Sequence, residues 1–230
     1  MKTNVIYNED CLGGMKKLPD NSIDLVLTDP PYGIDIAKSG TVGGGSYRGA
    51  TTNFEISNWD NKIPPKEYFD EMFRVSKNQI IWGGNYFIDY LEPTRCMLIW
   101  YKRNGLPERT FADAEIAWTS FDKNTKVIDV RWDGFIRDSK EKKYKHPTQK
   151  ALKVFEYCIK NYSSKGDIIL DPFIGSGTTA VASLSLNRKF IGYEINKKYY
   201  NIALKRIGKF DKKYYEELPE EKRPAQQQLF

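Results

Sequence analysis

The sequence predicts an α/β protein with a doubly wound, mostly parallel sheet. Short runs of consecutive apolar residues end in glycine or a polar residue, which is typical of strands that are buried on both faces of a parallel sheet. Stretches whose apolar residues recur at helical spacing separate these runs. Alternation of this kind places helices on both faces of the sheet and ligands at the carboxyl ends of its strands.

The predicted elements follow from these two patterns. Two helices are expected, over 64–76 and 148–162, because each carries its apolar residues on one stripe. The first opens with prolines, which are favourable in the first turn of a helix. A third helix follows a glycine-rich turn that ends near residue 177. The predicted strands are 23–29, 79–84, 96–101, 167–171 and 189–194.

The composition fits one soluble domain. With 230 residues, of which 40% are hydrophobic, the chain can form one substantial core, so 1–230 is expected to be a single domain. No apolar stretch approaches the roughly 18 to 20 residues that span a bilayer, and the first residues do not resemble a signal peptide. We therefore expect a cytoplasmic protein with no membrane partner.

The cysteines and the histidine do not indicate a metal site. Cys11, Cys96 and Cys158 are odd in number and far apart, without the close pairing that is typical of zinc ligands. We expect them to be reduced, structural thiols. His146 is the one histidine of the chain, and a structural role is expected for it as well.

The excess positive charge lies in the middle of the chain and in its tail. The net charge is +6, and residues 102–150 include 12 basic and 8 acidic residues. The densest run, RDSKEKKYKH, covers 137–146. A polyanion such as DNA would be attracted to this region. A solvated loop is the simpler explanation of a charge run taken alone.

The stretch 167–194 combines a strand, a glycine-rich turn and a helix. Gly175 and Gly177 allow the backbone to approach a ligand closely, and the exposed amides at the helix start favour an anionic group. Glu194 closes the next predicted strand about 20 residues later, where an acidic residue binds ribose hydroxyls in nucleoside-binding α/β units. The stretch therefore predicts a nucleoside site.

Three ligands can be compared at this turn. A nucleoside triphosphate would require a lysine followed by Ser or Thr, and GSGTT contains no lysine. A nicotinamide cofactor usually requires a third glycine at the helix start, where Thr178 and Thr179 fit less well. S-adenosylmethionine offers a ribose to Glu194 and a carboxylate to the backbone amides, and it needs no phosphate site. A purely structural turn stays an alternative.

The stretch LTDPPYG, residues 27–33, ends a predicted strand with stiff residues. A residue before proline favours extended conformations, and prolines cannot continue the hydrogen-bond ladder of a sheet. Asp29, nearby carbonyl groups and the Tyr32 ring therefore project from a rigid edge. They offer hydrogen-bond acceptors and a stacking surface, which suit a planar heterocycle with an exocyclic amino group. A solvent-exposed turn is the alternative.

Two segments interrupt the alternation of strands and helices. Residues 33–61 are rich in glycine and show little periodicity, and a loop of this length in a compact domain is usually functional or disordered. Its position directly after LTDPPYG favours a mobile lid. Residues 103–146 mix short strand-like pieces with basic stretches, which fits either an inserted recognition lobe or an antiparallel edge of the same sheet.

Together these motifs resemble those of the amino-group DNA methyltransferases, which methylate N6 of adenine or N4 of cytosine with S-adenosylmethionine. The resemblance rests on TDPPYG, DPFIGSGTT, GYE and HPTQK. Their order, with the catalytic motif first and the cofactor motif last, resembles the beta subclass. It implies a Rossmann-like methyltransferase fold with a small inserted target-recognition lobe at about 103–146. Ala151 stands where the family commonly has proline, which affects only the local helix start.

The resemblance also implies the catalytic roles. Asp29 and the carbonyl group of Pro30 would hold the target amine within a motif that includes Pro31. Tyr32 would stack on the base after it is flipped out of the duplex. Catalysis would come from positioning and from hydrogen bonds that strengthen as positive charge develops on the attacking nitrogen.

Cofactor contacts are implied in the same way. Glu194 would bind the ribose of S-adenosylmethionine, and Asp10 would contact its adenine. Asp10 also suits the N-cap of a helix, and the two roles do not exclude each other. The residues implied to surround the methionine part are Asp171, Gly175, Ser176, Gly177 and Thr178, with Lys150 near its carboxylate.

The target base follows from the resemblance alone. Aspartate before the two prolines is typical of adenine enzymes and serine of cytosine enzymes, so N6 of adenine is the predicted target and N4 of cytosine the alternative. Related motifs serve RNA and protein-glutamine methyltransferases, and a non-catalytic DNA-binding relative is a further alternative. The intact acid, aromatic residue and glycines argue against that last one.

Contacts with double-stranded DNA are expected from basic side chains in the predicted lobe, each of which could read a base or bind phosphate. The sequence leaves open whether the protein forms a homodimer and whether it is paired with a cognate restriction endonuclease. The candidate DNA-binding residues are Arg103, Arg109, Arg131, Arg137 and Lys142.

Overall fold

The described residues of the chain form an eight-stranded sheet with helices on both faces and two separate two-stranded ribbons. The structure is a computed structural model that describes residues 1–35, 41–42, 52–53, 60–102, 112–133, 136–137, 144 and 149–216. None of the helices in these ranges is long and apolar enough to cross a membrane. The same ranges contain no group of His, Cys, Asp and Glu side chains that could hold a metal ion.

The elements are named in chain order. The strands are β1 (Val5–Tyr7), β2 (Leu25–Thr28), β3 (Thr41–Val42), β4 (Thr52–Asn53), β5 (Gln79–Trp82), β6 (Met97–Tyr101), β7 (Ala114–Thr119), β8 (Lys126–Asp129), β9 (Trp132–Asp133), β10 (Ile136–Arg137), β11 (Ile168–Asp171) and β12 (Lys189–Tyr193). The helices are α1 (Cys11–Met15), α2 (Lys66–Val75), α3 (Leu152–Tyr162), α4 (Thr178–Ser185), α5 (Lys197–Phe210) and α6 (Lys212–Glu216), with a 3-10 turn at Gly84–Tyr86.

The main sheet has the strand order β1-β12-β11-β2-β5-β7-β6-β8. Its pairings are parallel except for the two made by β7, which is antiparallel to both β5 and β6. The prediction of a mostly parallel sheet is confirmed. From β2 the chain continues to β5 on one side, and from β11 it continues to β12 on the other. Ligands of doubly wound sheets bind at the carboxyl ends of the strands where the winding reverses, here β2 and β11.

The predicted elements agree closely with the observed ones. Each of the five predicted strands contains one observed strand. Helix α2 begins directly after Pro65, which takes the N-cap position. Helix α3 begins at Leu152, later than predicted, because Ala151 keeps an extended backbone with φ −67° and ψ 130°. The predicted first residue of that helix, 148, lies outside the described residues.

The predicted lobe at 103–146 belongs in part to the main sheet. Strand β7 lies between β5 and β6, and β8 lies at the sheet edge beside β6. Residues 114–129 therefore belong to the main sheet, with β7 inside it and β8 at its edge, and target recognition by this segment stays a prediction. Strands β9 and β10 form an antiparallel ribbon of their own. The remaining residues of this segment, apart from 112–113, 130–131 and 144, lie outside the described part of the chain.

The predicted lid at 33–61 also lies largely outside the described residues. Its described parts are residues 33–35, the short strands β3 and β4, which pair antiparallel, and residues 60–61. The lid stays a prediction.

Strand β2 explains why the predicted runs are apolar throughout. Leu25 and Leu27 are fully buried on one face of the sheet, where Phe155 of α3 packs. Val26 is fully buried on the other face, where Phe69 of α2 packs. Burial of one such side chain contributes about 1.5–3 kcal/mol to folding. Helices on both faces therefore fix β2, and with it the position of the residues that follow its carboxyl end.

The three cysteines are buried and free, as predicted. Burial raises the pKa of the Cys11 and Cys158 thiols. Protonated, enclosed thiols of this kind are chemically inert, which agrees with a structural role.

Candidate active site

Asp29 follows the carboxyl end of β2 and is held by two donors. The hydroxyl group of Tyr32 donates to Oδ1 of Asp29 at 2.5 Å, and Nζ of Lys150 lies 3.0 Å from the same oxygen. The Asp29 side chain is 17% exposed. Because Tyr32 and Lys150 both contact Oδ1, Oδ2 is the second acceptor of a fixed carboxylate.

Asp60 fixes the backbone on the far side of the two prolines. Its Oδ1 accepts hydrogen bonds from the N–H groups of Tyr32, at 2.7 Å, and Gly33, at 3.0 Å. Asp60 itself is buried. A buried carboxylate bonded to two backbone amides holds the turn after Pro31 in one conformation. Asp60, which lies outside the LTDPPYG motif, therefore also stabilises the rigid backbone that was predicted from this motif.

The ring of Tyr32 is fixed by aromatic contacts. It stacks on Tyr86, with ring centroids 4.7 Å apart and an angle of 13° between the planes. The ring of Phe87 meets it edge-on at 6.1 Å. Both partners belong to the turn that follows β5, the neighbour of β2. Tyr86 is exposed, so this aromatic pair reaches the surface of the protein.

Lys150 lies between the catalytic motif and the glycine turn, and its predicted contact with the cofactor carboxylate stays a prediction. Its ammonium group contacts Asp29, Tyr32 at 3.1 Å, and Oε2 of Glu115 at 2.5 Å. Its backbone carbonyl, by contrast, accepts a bond from Oγ1 of Thr178 at the start of α4, at 3.4 Å. The charged end of Lys150 therefore lies at the catalytic motif, and its backbone lies at the glycine turn.

The pKa values of Asp29, Glu115 and Lys150 are set by burial and by the alternating charges of these neighbouring side chains. Burial raises the pKa of Asp29, the ammonium group of Lys150 lowers it, and Glu115 adds to the rise. Burial would also raise the pKa of Glu115, but the ammonium groups of Lys150 and Lys102 bring it down to about 2. The two carboxylates together raise the pKa of Lys150 well above its ordinary value against the effect of burial.

The glycine-rich turn lies at the end of β11, directly beside the end of β2. Gly175 and Gly177 both have positive φ angles, 50° and 80°. A Cβ atom on Gly177 would lie 3.1 Å from that of Ala203 in α5, which is a tight contact. These two residues let the backbone turn sharply from β11 into α4, as predicted.

Asp171 shapes this turn from the end of β11. Its Oδ1 accepts bonds from the hydroxyl group of Thr28, at 2.7 Å, and from the N–H of Phe173, at 3.1 Å. Its Oδ2 accepts from the hydroxyl group of Thr179. Burial raises its pKa to about 6, against these hydrogen bonds. The bond to Thr28 ties β11 to β2, so the two halves of the site are connected through this side chain.

Glu194 follows the end of β12 and faces the same turn. Its carboxylate accepts the N–H groups of Gly175, at 3.1 Å, and Asn196, at 2.7 Å. Burial raises its pKa to about 7, and the two backbone bonds act against this rise. Asp10 is the N-cap of α1 and lines the same cavity as Glu194. Its carboxylate accepts from the N–H of Leu12 at 2.8 Å and from the hydroxyl group of Tyr68 at 2.9 Å.

One cavity of about 360 Å³ joins these parts. It extends from the catalytic motif to the glycine turn and to Glu194, as the prediction of neighbouring sites requires. Gly177, Pro30 and Tyr32 lie next to it but are not part of its lining. The predicted residues that line it are Asp10, Asp29, Pro31, Lys150, Asp171, Gly175, Ser176, Thr178 and Glu194.

Arg206 of α5 is a further site residue that the motifs do not reveal. It is buried beneath the glycine turn, and its Nη1 donates to Oγ1 of Thr178 at 2.7 Å and to Oγ of Ser176 at 3.1 Å. It places a positive charge directly under the turn that is predicted to bind a carboxylate. In the sequence it is one basic residue of an ordinary amphipathic helix.

Most of the predicted DNA-binding residues lie outside the part of the chain that the structure describes. Arg131 is half-buried directly before β9, and Arg137 lies in β10. Arg103, Arg109 and Lys142 lie outside the described residues, as does His146. Their roles stay predictions.

A doubly wound sheet with this cavity is typical of enzymes that bind a nucleoside cofactor. A family model described as DNA methylase, for N6 and N4 methyltransferases, matches residues 76–205. This chain therefore belongs to the DNA methylase family, and the family predicted from the motifs is confirmed.

The chain is similar to several known proteins of this kind. It is 27% identical to the type II methyltransferase M2.LlaDCHI of Lactococcus lactis subsp. cremoris, over 89% of each chain. It is also 27% identical to M.HpaI of Haemophilus parainfluenzae, over 86% of this chain and 72% of that one. These relatives agree with the predicted DNA methyltransferase.

Solved structures show the same fold. A complex of M1.HpyAVI with SAM is 27% identical, with a TM-score of 0.53, over 87% of this chain and 98% of that one. The cytosine-N4-specific PvuII DNA methyltransferase matches with a TM-score of 0.58 at 15% identity, over 88% and 86%, which is a likeness of fold. The cofactor of the M1.HpyAVI complex is the one that the sequence predicts, S-adenosylmethionine.

Proposed function

We propose that this protein transfers a methyl group from S-adenosylmethionine to the N6 amino group of adenine in double-stranded DNA, at a specific sequence. The observation that carries the proposal is the position of Asp29. Asp29 lines the same cavity as the glycine turn and Glu194. It follows β2, which pairs with β11, the strand that leads into the glycine turn. An amine held by Asp29 would therefore lie beside a methyl donor bound at the turn.

S-adenosylmethionine fits the residues of the cavity. The carboxylate of Glu194 lines the cavity and would accept ribose hydroxyls, and Ser176 and Thr178 line it at the start of α4, where a carboxylate would bind. Arg206, under the turn, favours a negatively charged carboxylate at this place. When bound, the cofactor supplies an electrophilic methyl group, which takes up the nitrogen lone pair as its bond to sulfur breaks.

The catalytic motif would act on the target amine. Asp29 and the carbonyl group of Pro30 would accept its two hydrogens, which reduces delocalisation of the nitrogen lone pair into the ring. Tyr32 would stack on the flipped base, and its contact with the Tyr86 ring fixes the plane in which its own ring lies. The contacts of Asp29 strengthen as the nitrogen becomes positive, and this favours the transition state over the ground state.

Adenine is favoured over cytosine by the aspartate at position 29 alone. The proton on nitrogen can leave after transfer, so Asp29 does not need to be a strong base. Burial raises the pKa of Asp29, and the ammonium group of Lys150 acts against this rise and so favours the ionised carboxylate, which accepts hydrogen bonds. We also propose that the basic side chains of about 103–146 contact the duplex, with Arg131 and Arg137 among them.

The proposal is tested by methyl transfer from isotope-labelled S-adenosylmethionine to duplex oligonucleotides of mixed sequence, with transfer RNA in parallel. Digestion to nucleosides and mass spectrometry would distinguish N6-methyladenine from N4-methylcytosine. Labelled N6-methyladenine in the duplex, lost in Asp29→Ala, supports the proposal. N4-methylcytosine would overturn the choice of base, label only in transfer RNA would overturn the substrate, and cofactor binding without transfer would indicate a non-catalytic protein.

A further inference from the structure

A line of alternating charges ends at Asp29. Nζ of Lys102 lies 2.7 Å from Oε1 of Glu115. Oε2 of Glu115 lies 2.5 Å from Nζ of Lys150, which in turn lies 3.0 Å from Asp29. The four side chains are only 8% to 20% exposed. Lys102 follows β6, Asp29 follows β2, Glu115 lies in β7, and Lys150 lies two residues before α3. The fold therefore brings the four side chains together from distant segments of the chain.

Lys150 is fully engaged in this line. An ammonium group has three donors, and Lys150 has three acceptors within reach, on Glu115, Asp29 and Tyr32. Its nitrogen is closer to Glu115 than to Asp29. Glu115 therefore shares the ammonium group and draws it away from the carboxylate that the reaction requires as an acceptor.

We propose that Glu115 is a positioning residue of the methyl transfer, and that it acts through Lys150 on Asp29. This rests on the proposed function of Asp29 as the group that holds the target amine. Without Glu115, the ammonium group of Lys150 would move onto Asp29 and compete with the amine for the carboxylate. Without Lys150, the charge of Glu115 would instead repel that of Asp29 and favour its protonation.

The effect of Glu115 should therefore depend on Lys150. The variants Glu115→Gln, Lys150→Met and the combination of both would be compared in methyl transfer to duplex DNA, with cofactor affinity measured by calorimetry. In the wild-type background, Glu115→Gln is expected to lower kcat about tenfold or more and to leave cofactor affinity within about twofold. In the Lys150→Met background, it is expected to cause no further loss, and a partial recovery would be the sharpest sign of the coupling.

A matched control distinguishes an effect of Glu115→Gln on catalysis from a general loss of stability. Glu71 forms an ion pair with Arg74 at 2.7 Å in α2, and its side chain is 16% exposed, close to the 20% of Glu115. Glu71→Gln is expected to keep the wild-type kcat. Lys150→Arg, which retains the charge, is expected to keep more activity than Lys150→Met.

The results that overturn the proposal are distinct from failure of the proposed function. If the wild-type protein methylates duplex DNA but Glu115→Gln has the wild-type kcat, Glu115 has no positioning role. The same conclusion follows if its kcat falls only in parallel with cofactor affinity and thermal stability, or if the two substitutions are additive. Should Lys150→Met not fold, the comparison of Glu115→Gln with Glu71→Gln decides the question alone. Absence of methyl transfer in the wild type would overturn the proposed function itself.

Discussion

Gly83 lies directly against the ring of Tyr32. A Cβ atom on Gly83 would lie 2.1 Å from Cε1 of Tyr32, and the residue has a φ angle of +73°, which L side chains rarely adopt. Gly83 follows β5, so the strand next to β2 sets the place of the Tyr32 ring. The ring is thus located by the sheet itself as well as by its stacking on Tyr86.

Replacing Gly83 should therefore impair catalysis without removing any functional group. Gly83→Ala is expected to displace the Tyr32 ring and to lower kcat about tenfold or more, because a shift of about 1 Å in a positioning group is costly. Cofactor affinity should not change. Gly166→Ala is the matched control, since Gly166 has a φ angle of +88° and open space around it. It shares the backbone strain, about 1–2 kcal/mol, and should keep the wild-type kcat. Equal kcat values in the two variants would contradict this account of Tyr32.

The two ends of β2 allow a direct test of Asp29. Asp29→Asn keeps one acceptor oxygen and is expected to retain more activity than Asp29→Ala, which should lose about a hundredfold or more in kcat. Asp24 directly precedes β2, so its ion pair with Lys77 at 2.7 Å lies at the amino end of the strand, opposite to Asp29. Asp24→Asn should therefore change stability only slightly and leave kcat unchanged in the same steady-state assay. Near-normal methylation by Asp29→Ala would show that the assignment is wrong.

Glu194 should make cofactor binding depend on pH. Its pKa of about 7 in the free protein is caused by burial, and ribose hydroxyls donate best to the ionised carboxylate. The affinity for S-adenosylmethionine is therefore expected to rise as the pH increases through about 7. Glu194→Gln should bind more weakly and should remove this rise. Calorimetric titrations across that range test the prediction, and an identical pH dependence in the variant would contradict it.

The carboxyl group of Glu194 should also make the stability of the cofactor-free protein fall as the pH rises. In the unfolded chain Glu194 ionises near its ordinary pKa of 4.5, whereas in the folded protein it retains its proton up to about pH 7. The folded state binds more protons in this interval, so the contribution of Glu194 to stability falls as the pH rises from 4.5 to about 7. Chemical denaturation without cofactor should show a weaker fall in Glu194→Gln than in the wild type. A steeper fall in the variant would contradict the assigned pKa.

Arg206 should support the cofactor turn from below. Arg206→Met removes the hydrogen bonds to Ser176 and Thr178, and a bond from a charged donor contributes about 1.5–3 kcal/mol. We expect lower thermal stability and a cofactor affinity that is weakened about tenfold or more. Lys205, the neighbouring residue on α5, provides the control Lys205→Met. Unchanged affinity in Arg206→Met would limit Arg206 to a purely structural role.

Local motifs predicted the parts of the site that lie within one stretch of chain. The rigid edge from Asp29 to Tyr32 follows from two consecutive prolines, and the turn at Gly175 and Gly177 follows from its place between a strand and a helix. Their adjacency was also predictable, because parallel strands present their carboxyl ends at the same edge of the sheet. The fold class could be predicted for the same reason, since strands buried on both faces are apolar throughout.

Contacts between distant segments were not predictable in this way. Glu115 and Lys150 are 35 positions apart and meet only because β7 inserts between β5 and β6. Nothing in the pattern of β7 distinguishes Glu115 from a solvent-exposed residue of an edge strand. Lys150 could be placed near the site, but the direction of its ammonium group toward Asp29 depends on Glu115, which no motif includes.

Asp29 is proposed to hold an adenine amino group beside bound S-adenosylmethionine. The most direct test is a map of methylated bases in the DNA of cells that express this chain, compared with cells that express Asp29→Ala. We expect N6-methyladenine at one defined sequence in the first DNA and its loss in the second. Methylation of cytosine N4 instead, or N6-methyladenine that persists in cells with Asp29→Ala, would contradict it.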